Sequence, residues 1–380
     1  MMIKTKCVFC FFLAVVGLQI SHVFQAAAQL VPAMKNNVVL KINPGPGNPR
    51  NSEGSFITLK NGSILFVYSK YTSGTGDDHD PAFLASRLSS DGGQTWTAKD
   101  EVVLSNEAGL NVMSVSLLRL KNGEIALFYL KKNTTKDCIP YLRISKDEAK
   151  TWSEPIACIT DQTGYFVLNN DRVIQLSSGR LLFAVALHKN LNAYMGGSGN
   201  LFSYYSDDNG RTWKAGQEVK GPKDRLTQEP GVVELKNGEL MMFIRATGGT
   251  QLVSYSKDKG ETWTDAIPYQ LKSPLSPASI ERIPGTGDLF AIWNNIDGAD
   301  PKAKDHRTPL TIAISKDDGK SWIHVKNIET DPDGWYCYMA IHFDQNNVLL
   351  SYCAGSQKQK THLSVTAIAL LDLKTIYRNY

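Results

Sequence analysis

The chain has 380 residues, of which 42% are hydrophobic and 21% charged, and this composition excludes a disordered protein and supplies enough apolar surface for a core. The formal net charge of +4 comes from 41 basic and 37 acidic residues. It excludes the strongly basic face of a nucleic-acid-binding protein and suits an anionic small ligand. With 30 glycines, 16 prolines, 7 tryptophans and 15 tyrosines, the chain favours many short strands over long helices.

The N-terminal residues have the pattern of a secretory signal peptide. Lys4 and Lys6 precede an apolar run from Cys7 to Leu18, and small residues end at Ala28. This order of charged, apolar and small residues is typical of a cleaved signal. A membrane anchor is the alternative, but the run is shorter than the roughly 20 residues that span a bilayer. We predict a signal peptide over residues 1–28, a single domain over residues 29–380, a secreted or periplasmic protein and no membrane span.

Four cysteines lie beyond the predicted signal peptide, at Cys138, Cys158, Cys337 and Cys353. Their spacing lacks a CxxC pair and no histidine pair lies near them, so we predict no metal site. An exported protein permits disulfides. We therefore expect either buried thiols or one or two disulfides.

A motif of the form Ser-x-Asp-x-Gly-x-Thr-Trp recurs at near-constant spacing. Ala149 replaces the glycine in one copy and Ser321 replaces the threonine in another. The copies begin at Ser89, Ser145, Ser206, Ser256 and Ser315. We expect each to form a tight turn in which the aspartate binds backbone N–H groups, the glycine adopts positive φ and the tryptophan packs beneath.

A second pattern, Leu-x-x-Gly followed by alternating apolar residues, precedes most of these turns and predicts a strand, a hairpin and a second strand. It occurs at Leu59–Val67, Leu120–Phe128, Leu176–Ala184 and Leu235–Phe243. Together the two patterns predict an all-β fold, a six-bladed β-propeller of four-stranded antiparallel blades. The ends Asn37–Ile42 and His362–Leu373 are expected to share the sixth blade, which leaves no open edge. A linear array of β modules is the alternative.

The repeated turn resembles the Asp-box, or BNR repeat, of the sialidase (neuraminidase) superfamily, and the resemblance covers almost all of the chain after the predicted signal. The box lies on the outer rim of such propellers and by itself says nothing about activity. The resemblance to bacterial exo-α-sialidases implies retaining hydrolysis of terminal sialic acid from glycoconjugates. In that family three arginines hold the sugar carboxylate, a tyrosine paired with a glutamate is the nucleophile, and an aspartate is the acid/base. It also implies a glycan partner, no cofactor and a monomer.

The strongest site resemblance lies in the predicted fourth blade. Glu229 opens a strand, a hairpin follows at Gly238, and Arg245 ends the next strand, as the glutamate and one clamp arginine do in sialidases. Adjacent antiparallel strands bring both side chains to the channel, and arginine offers a planar fork for a carboxylate. A solvated glutamate and a surface arginine are the alternative.

Two further residues resemble sialidase positions. Arg307 precedes a predicted strand of the fifth blade, as a second clamp arginine does, although an exposed basic loop is also possible there. Tyr338 lies on the first strand of the sixth blade, where the nucleophile is expected. Tyr336 is two residues away and would share its face, so the choice between the two tyrosines stays open, with Tyr338 favoured.

The first blade departs from the sialidase pattern. Sialidases have Arg-Ile-Pro on the first inner strand, whereas Arg50 is followed here by Asn, Ser and Glu53. Arg50 comes about two residues early but keeps the same strand face, so it remains the candidate for the third clamp arginine. Glu53 is an added carboxylate that can pair with Arg50, contact a sugar hydroxyl or oppose an anionic substrate.

The acid/base aspartate is expected in the loop after the second strand of the first blade. That loop contains Asp77, Asp78 and Asp80. Counting back from Ser89 favours Asp77, but any of the three can serve. Like-charge repulsion raises the pKa of at least one carboxylate in such a cluster, which suits a general acid. A calcium-like or purely solvated acidic loop is the alternative.

Asn170 and Arg172, at the start of the third blade, are further substrate-binding candidates. The alternative is that they close the channel by mutual hydrogen bonds. Two other functions remain open. One is a propeller hydrolase or lyase acting on another acidic or deoxy sugar, and the other is a non-catalytic glycan-binding propeller. An enzyme is expected to bring Tyr338, Glu229, Arg245 and Arg307 together in one pocket at the channel mouth, whereas scattered positions would favour the binding module.

Overall fold

A computed structural model describes residues 31–188, 197–301, 303 and 306–378, and the predicted signal peptide lies outside these residues. Over the described residues the structure is almost entirely β. The strands in chain order are β1 (Val38–Ile42), β2 (Asn51–Thr58), β3 (Ile64–Tyr71), β4 (Ala82–Ser89), β5 (Glu101–Leu104), β6 (Asn111–Arg119), β7 (Ile125–Thr134), β8 (Asp137–Ser145), β9 (Ile156–Ala157), β10 (Tyr165–Val167), β11 (Ile174–Gln175), β12 (Leu181–His188), β13 (Asn200–Ser206), β14 (Lys214–Ala215), β15 (Thr227–Glu234), β16 (Leu240–Ala246), β17 (Thr250–Ser256), β18 (Ile267–Lys272), β19 (Ser279–Arg282), β20 (Leu289–Asn294), β21 (Leu310–Ser315), β22 (Ile323–Glu329), β23 (Gly334–Asp344), β24 (Asn347–Ser356) and β25 (Thr366–Asp372). One short helix, α1 (Leu373–Tyr377), follows, and no helix in the described ranges is long and apolar enough to cross a membrane.

The strands form four-stranded antiparallel sheets and one larger sheet. The four-stranded sheets have the orders β2-β3-β4-β5, β15-β16-β17-β18, β19-β20-β21-β22 and β1-β25-β24-β23. The remaining strands form a nine-stranded sheet, in which β10 pairs with β8 of one predicted blade and β12 of the next. The all-β class and the four-stranded antiparallel units are therefore confirmed, while the number of blades stays a prediction.

The two ends of the described chain meet in one sheet, as the sequence predicts. β1 pairs antiparallel with β25, with Leu40 opposite Ile368 and Ile42 opposite Thr366. Beyond β25, the sheet continues through β24 to β23. Because β1 covers the free edge of β25, the sheet that contains Tyr338 is completed by a strand from the other end of the chain.

The repeated motif forms the expected turns. In the first copy Asp91 accepts hydrogen bonds from the Thr95 N–H at 2.9 Å and the Ser89 hydroxyl at 2.8 Å. Gly93 has a φ of 87°, which only glycine adopts without a steric cost. Trp96 donates its indole N–H to the Gly93 carbonyl at 3.1 Å. Each turn thus satisfies its own backbone groups and places an apolar ring against the sheet.

The start of several sheets carries a backbone irregularity. Glu53, Ser114, Asp171, Glu229 and Tyr338 all have positive φ, between 42° and 59°. The pairing register shifts at four of these places, in β2, β6, β15 and β23. These are β-bulges, which turn a side chain away from the regular alternation of the strand. A non-glycine residue at positive φ is strained, and such strain tends to occur at functional sites.

The apolar core lies between neighbouring sheets. Phe56, Phe66 and Tyr68 of the first sheet pack with Leu349 and Ile368 of the last. The four cysteines are buried free thiols, so the interpretation as buried thiols is confirmed over disulfides. Burial of apolar surface between sheets is the main stabilising contribution in such a fold, and it fixes the first strands of neighbouring sheets side by side.

Candidate active site

Four of the predicted residues meet in one cluster. The Tyr338 hydroxyl lies 3.2 Å from Oε1 of Glu229, and Oε2 of Glu229 accepts a hydrogen bond from Arg245 Nη1 at 2.5 Å. The guanidinium of Arg307 lies 5.7 Å from the centre of the Tyr338 ring. These side chains come from β15, β16, β23 and the segment before β21, and the structure brings them together.

The bulges explain why Tyr338 rather than Tyr336 reaches Glu229. Tyr336 packs in an apolar cluster with Met339 and Tyr352, and its ring lies 6.1 Å from that of Tyr352. The register of β23 slips just after Cys337. The expectation that both tyrosines share a face, which assumes regular alternation, is therefore wrong, because the bulge turns Tyr338 out of the pattern.

The electrostatics of the pair set its resting protonation state. Burial raises the pKa of the Glu229 carboxyl, but Arg245 and Arg307 outweigh it, so the net shift is downward. Burial and the Glu229 charge raise the pKa of the Tyr338 hydroxyl well above its usual value. Glu229 is therefore a carboxylate beside a protonated phenol. A carboxylate in this position can act as a general base.

Arg307 has an unused donor at this site. It is 5% exposed and stacks on Trp335, with its guanidinium 4.8 Å from the ring centre. Its Nη1 has no hydrogen-bond partner among the described residues. Asn294 holds the Arg307 backbone carbonyl at 2.7 Å. A buried guanidinium that is fixed in place and not fully paired is suited to bind an anion.

Arg50, in contrast, is already engaged by two carboxylates. It is 2% exposed. Its Nη2 donates to Glu53 at 2.9 Å and its Nη1 to Asp78 at 2.5 Å. Its Nε donates to Ser52 at 2.9 Å. Glu53 in turn accepts a hydrogen bond from the Ser114 hydroxyl at 2.8 Å. The added carboxylate that the sequence shows thus pairs with Arg50, one of the roles expected for it.

The three loop aspartates have different environments. Asp80 accepts the backbone N–H groups of Thr75, Gly76 and Asp77 at 2.8 to 2.9 Å, and so holds the loop. Asp77 is exposed and accepts the N–H of His79 at 3.1 Å. Asp78 is the member of this trio that contacts an arginine, Arg50. Counting along the sequence favours Asp77 as the acid/base, whereas the contact with Arg50 favours Asp78.

The backbone of Asp78 is anchored by two residues of the next blade that sequence analysis did not select for this role. Lys132 Nζ and Asn111 Nδ2 both donate to the Asp78 carbonyl, at 2.5 and 2.9 Å. Lys132 is 1% exposed. Partial burial raises the pKa of the Asp78 carboxyl, but Arg50 and Lys132 outweigh it and lower that pKa to about 2.

Asn170 connects the two halves of the site. Its Nδ2 donates to the carbonyls of Gly54 at 2.8 Å and Tyr338 at 3.2 Å. The next residue, Asp171, accepts the Ser55 hydroxyl at 2.6 Å and the Ile341 N–H at 2.8 Å. The contacts of Asn170 thus lie on the backbone of both bulged strands, which is the arrangement expected of a structural brace.

The Arg172 side chain makes its contacts with residues of other sheets. It donates to the Ala278 carbonyl and stacks on Phe243 at 5.0 Å. It lines a cavity of about 920 Å³ formed by the later residues of the first strands, among them Arg119 and His342. Nearby, burial and Asp171 raise the pKa of Glu281 well above its usual value.

Comparisons with known proteins point to one family. The sequence model of the BNR repeat-like domain matches residues 62–363. The sialidase of Bacteroides fragilis is 25% identical over 356 residues, which cover 83% of this chain and 61% of that protein. The sialidase of Micromonospora viridifaciens is 28% identical over 314 residues, 74% of this chain and 47% of that protein. The chain thus spans about half to three-fifths of the length of these relatives.

A solved structure supports the same fold. A Hadza microbial sialidase superposes with a TM-score of 0.70 at 21% sequence identity, over 87% of this chain and 67% of that chain. At this identity the likeness shows the fold, a sialidase-like propeller, and leaves the chemistry to be argued from the side chains.

Proposed function

The chain belongs to the BNR repeat-like domain family, and from this premise we propose that it is a secreted glycoside hydrolase of the sialidase type, which removes terminal sialic acid from glycoconjugates. The observation that carries the proposal is the Tyr338–Glu229 pair, 3.2 Å apart and flanked by Arg245 and Arg307. The sialidases of Bacteroides fragilis and Micromonospora viridifaciens support the substrate class.

In the proposed reaction the Tyr338 oxygen attacks the anomeric carbon while Glu229 accepts the phenolic proton. A neutral phenol suits this carbon, because a charged nucleophile would be repelled by the carboxylate next to it. An aspartate of the 77–80 loop protonates the leaving oxygen and then activates a water molecule, so the configuration is retained. Arg50, Arg245 and Arg307 hold the sugar carboxylate.

The architecture that we propose for this enzyme is a single domain over residues 29–380 with six blades. It is supported by the four separate four-stranded sheets, by the nine-stranded sheet that joins two further predicted blades, and by the pairing of β1 with β25. Secretion follows from the predicted signal peptide, and a monomer from the resemblance described above.

A second candidate substrate is favoured by Arg50. Glu53 and Asp78 both bind its guanidinium, whereas a clamp arginine is expected to be free for the substrate. A hydrolase or lyase acting on another acidic or deoxy sugar would need fewer arginines for the carboxylate. A non-catalytic glycan-binding propeller is less favoured, since Tyr338, Glu229, Arg245 and Arg307 meet in one cluster.

A screen of the full chain against sialosides, uronosides and rhamnosides tests the proposal. We expect release of sialic acid. Proton NMR should show that the anomer formed first has the same configuration as the substrate. Preferential release from a uronoside or rhamnoside would favour the second candidate. No release from any of them would contradict the enzyme proposal and support a binding module.

Asn170→Ala tests whether the brace positions the nucleophile. The variant loses the hydrogen bonds to the Gly54 and Tyr338 carbonyls, so we expect kcat to fall about tenfold with a smaller change in KM. Loss of two buried hydrogen bonds should also lower the free energy of unfolding by about 1–3 kcal/mol.

A matched control separates positioning from stability. Asn36→Ala removes two hydrogen bonds of one asparagine, to Glu329 and Tyr352 at 2.7 Å each, away from the candidate site. We expect a similar loss of stability by urea unfolding but an unchanged kcat. Equal kcat in the two variants would mean that Asn170 has only a structural role.

A further inference from the structure

The N–H groups of Arg50 are almost fully occupied by partners within the protein. Nε donates to Ser52, Nη1 to both Asp78 and the Gly76 carbonyl, and Nη2 to Glu53. A guanidinium has five N–H groups, so one remains. The ring of Tyr71 lies 4.6 Å from the guanidinium carbon and covers one of its faces. A substrate carboxylate therefore cannot form a two-bonded contact with Arg50 unless a present partner leaves.

Charge leads to the same conclusion. Arg50 carries one positive charge and already faces the carboxylates of Glu53 and Asp78. A third carboxylate on the same guanidinium would add like-charge repulsion at close range in a buried place. One of the two resident carboxylates must therefore move away or take up a proton when an anionic sugar binds.

The two resident carboxylates differ in how firmly they are held. Glu53 is 5% exposed, lies within β2 at a bulge and also accepts the Ser114 hydroxyl. The Asp78 side chain is 52% exposed and lies in the loop between β3 and β4, and its carboxylate makes its hydrogen bond to Arg50. Lys132 and Asn111 hold the backbone of Asp78 but leave its side chain able to rotate. Asp78 is therefore the partner that can leave.

We propose that Asp78 occupies the place on Arg50 that the substrate carboxylate takes, and that substrate binding releases Asp78 to act as the general acid. This inference rests on the proposed function and selects one aspartate of the 77–80 loop. It also reconciles an occupied Arg50 with a three-arginine clamp, because the internal carboxylate marks the position of the external one.

Every proton in the proposed reaction is accounted for. On release, Asp78 takes up one proton from solvent. It gives this proton to the leaving oxygen as the glycosidic C–O bond breaks and the bond from Tyr338 to the anomeric carbon forms, while Glu229 takes the phenolic proton. The Asp78 carboxylate then removes a proton from the attacking water. The bond to Tyr338 breaks, and Tyr338 recovers its proton from Glu229.

The charges around Asp78 support the direction of this change. Arg50, Lys132 and His79 favour its ionised form, and together they outweigh the effect of partial burial and lower its pKa to about 2. Glu53 is the nearby carboxyl group that repels the Asp78 charge, and burial raises the pKa of Glu53 above its usual value. A substrate carboxylate on Arg50 neutralises the strongest favourable charge, so the pKa of Asp78 rises in the complex.

Calorimetric titration of the full chain with free N-acetylneuraminic acid, the expected product, measures this proton. Repeating the titration in buffers of different ionisation enthalpy gives the protons taken up on binding. We expect uptake approaching about one proton per site at acidic pH, falling towards zero as the pH rises above the pKa of Asp78 in the complex.

Asp78→Asn provides the sharper test. Asparagine cannot take up the proton and no longer forms an ion pair that the ligand has to break. We expect no proton uptake and about fivefold tighter binding, the fold-change that corresponds to one partly exposed ion pair, although turnover of a sialoside is lost. Asp207→Asn is the matched control, because Asp207 is also about half exposed and pairs with a largely buried arginine, Arg180, outside the site, and it should behave as the wild type.

The binding experiments distinguish a failure of the displacement proposal from a failure of the proposed function. Binding without proton uptake by the wild type, weaker binding by Asp78→Asn, or loss of the uptake in Asp77→Asn instead would overturn the displacement proposal and leave the proposed function standing. Absence of binding, together with absence of sialoside turnover, would overturn the sialic acid function and this inference with it. The wild-type measurement stands even if a variant fails to fold.

Discussion

Tyr338→Phe is expected to lower kcat for a fluorogenic sialoside by at least about a thousandfold, the scale of loss when a nucleophile is removed from an otherwise intact site. The change deletes one oxygen atom, which lies 3.2 Å from Glu229. The aromatic ring stays in place beside Arg307, so the fold and substrate binding should be retained. Steady-state kinetics with the full chain measure the effect.

Tyr336→Phe is the control for this prediction. It makes the same chemical change two residues away, where the ring packs in an apolar cluster with Met339 and Tyr352. We expect near-normal turnover and only a small change in the urea midpoint. Undiminished turnover in Tyr338→Phe would show that Tyr338 is not the nucleophile, and a large loss in Tyr336→Phe would show that the assignment of the two tyrosines is reversed.

Among the substitutions proposed here, Arg245→Met is expected to lower the free energy of unfolding most. It removes the cation that faces the buried carboxylate of Glu229 at 2.5 Å, where the two side chains are 4% and 11% exposed. Breaking a buried ion pair by removing one partner costs about 3–5 kcal/mol, because the other charge stays buried and unpaired. Urea unfolding at neutral pH measures this, and turnover should be lost as well.

The pH dependence of that variant should change sign. In the wild type Arg245 contributes to a Glu229 pKa below its unfolded value. The stability from Glu229 is therefore present above the unfolded pKa and lost as the pH falls through the folded pKa. Without Arg245, the largest charge that lowers the pKa of Glu229 is gone, so we expect burial to outweigh Arg307 and Tyr338 and to raise that pKa above its unfolded value. The variant should then become more stable, relative to the wild type, as the pH falls.

Arg180→Met is the matched control for a lost arginine. Arg180 pairs with Asp207 and Glu261, whose side chains are 56% and 49% exposed. Partners that retain their hydration contribute only about 0–1 kcal/mol, so a small loss with little dependence on pH is expected. If Arg245→Met is no more destabilising than Arg180→Met, the Glu229–Arg245 pair does not carry the buried charge that its geometry indicates.

The sequence was sufficient for the parts of the site that follow from regular strands. Glu229 and Arg245 could be paired because a hairpin at Gly238 places the start of one strand beside the end of the next, and the structure has Gln228 opposite Arg245. The pairing of β1 with β25 was predictable for the same reason, since both ends of the chain have strand-like alternation.

The bulges could not be predicted in the same way. Glu53, Glu229 and Tyr338 adopt positive φ, and no residue type at these positions signals it, as a glycine would. Regular alternation therefore placed Tyr336 and Tyr338 on one face. Lys132 follows another lysine and reads as a solvated charge, although it is 1% exposed. In the 77–80 loop, the choice of aspartate depends on tertiary contacts with Arg50 rather than on spacing.

The pairing of β1 with β25 also bears on how activity is acquired during folding. The sheet that contains Tyr338 joins strands from opposite ends of the described chain, whereas Glu229 and Arg245 belong to a hairpin of local contacts. Contacts between sequence-distant strands form late and slowly, because loop closure comes first. We therefore expect a partly synthesised chain to hold Glu229 without Tyr338 beside it, and to lack the hydrolase activity that we propose.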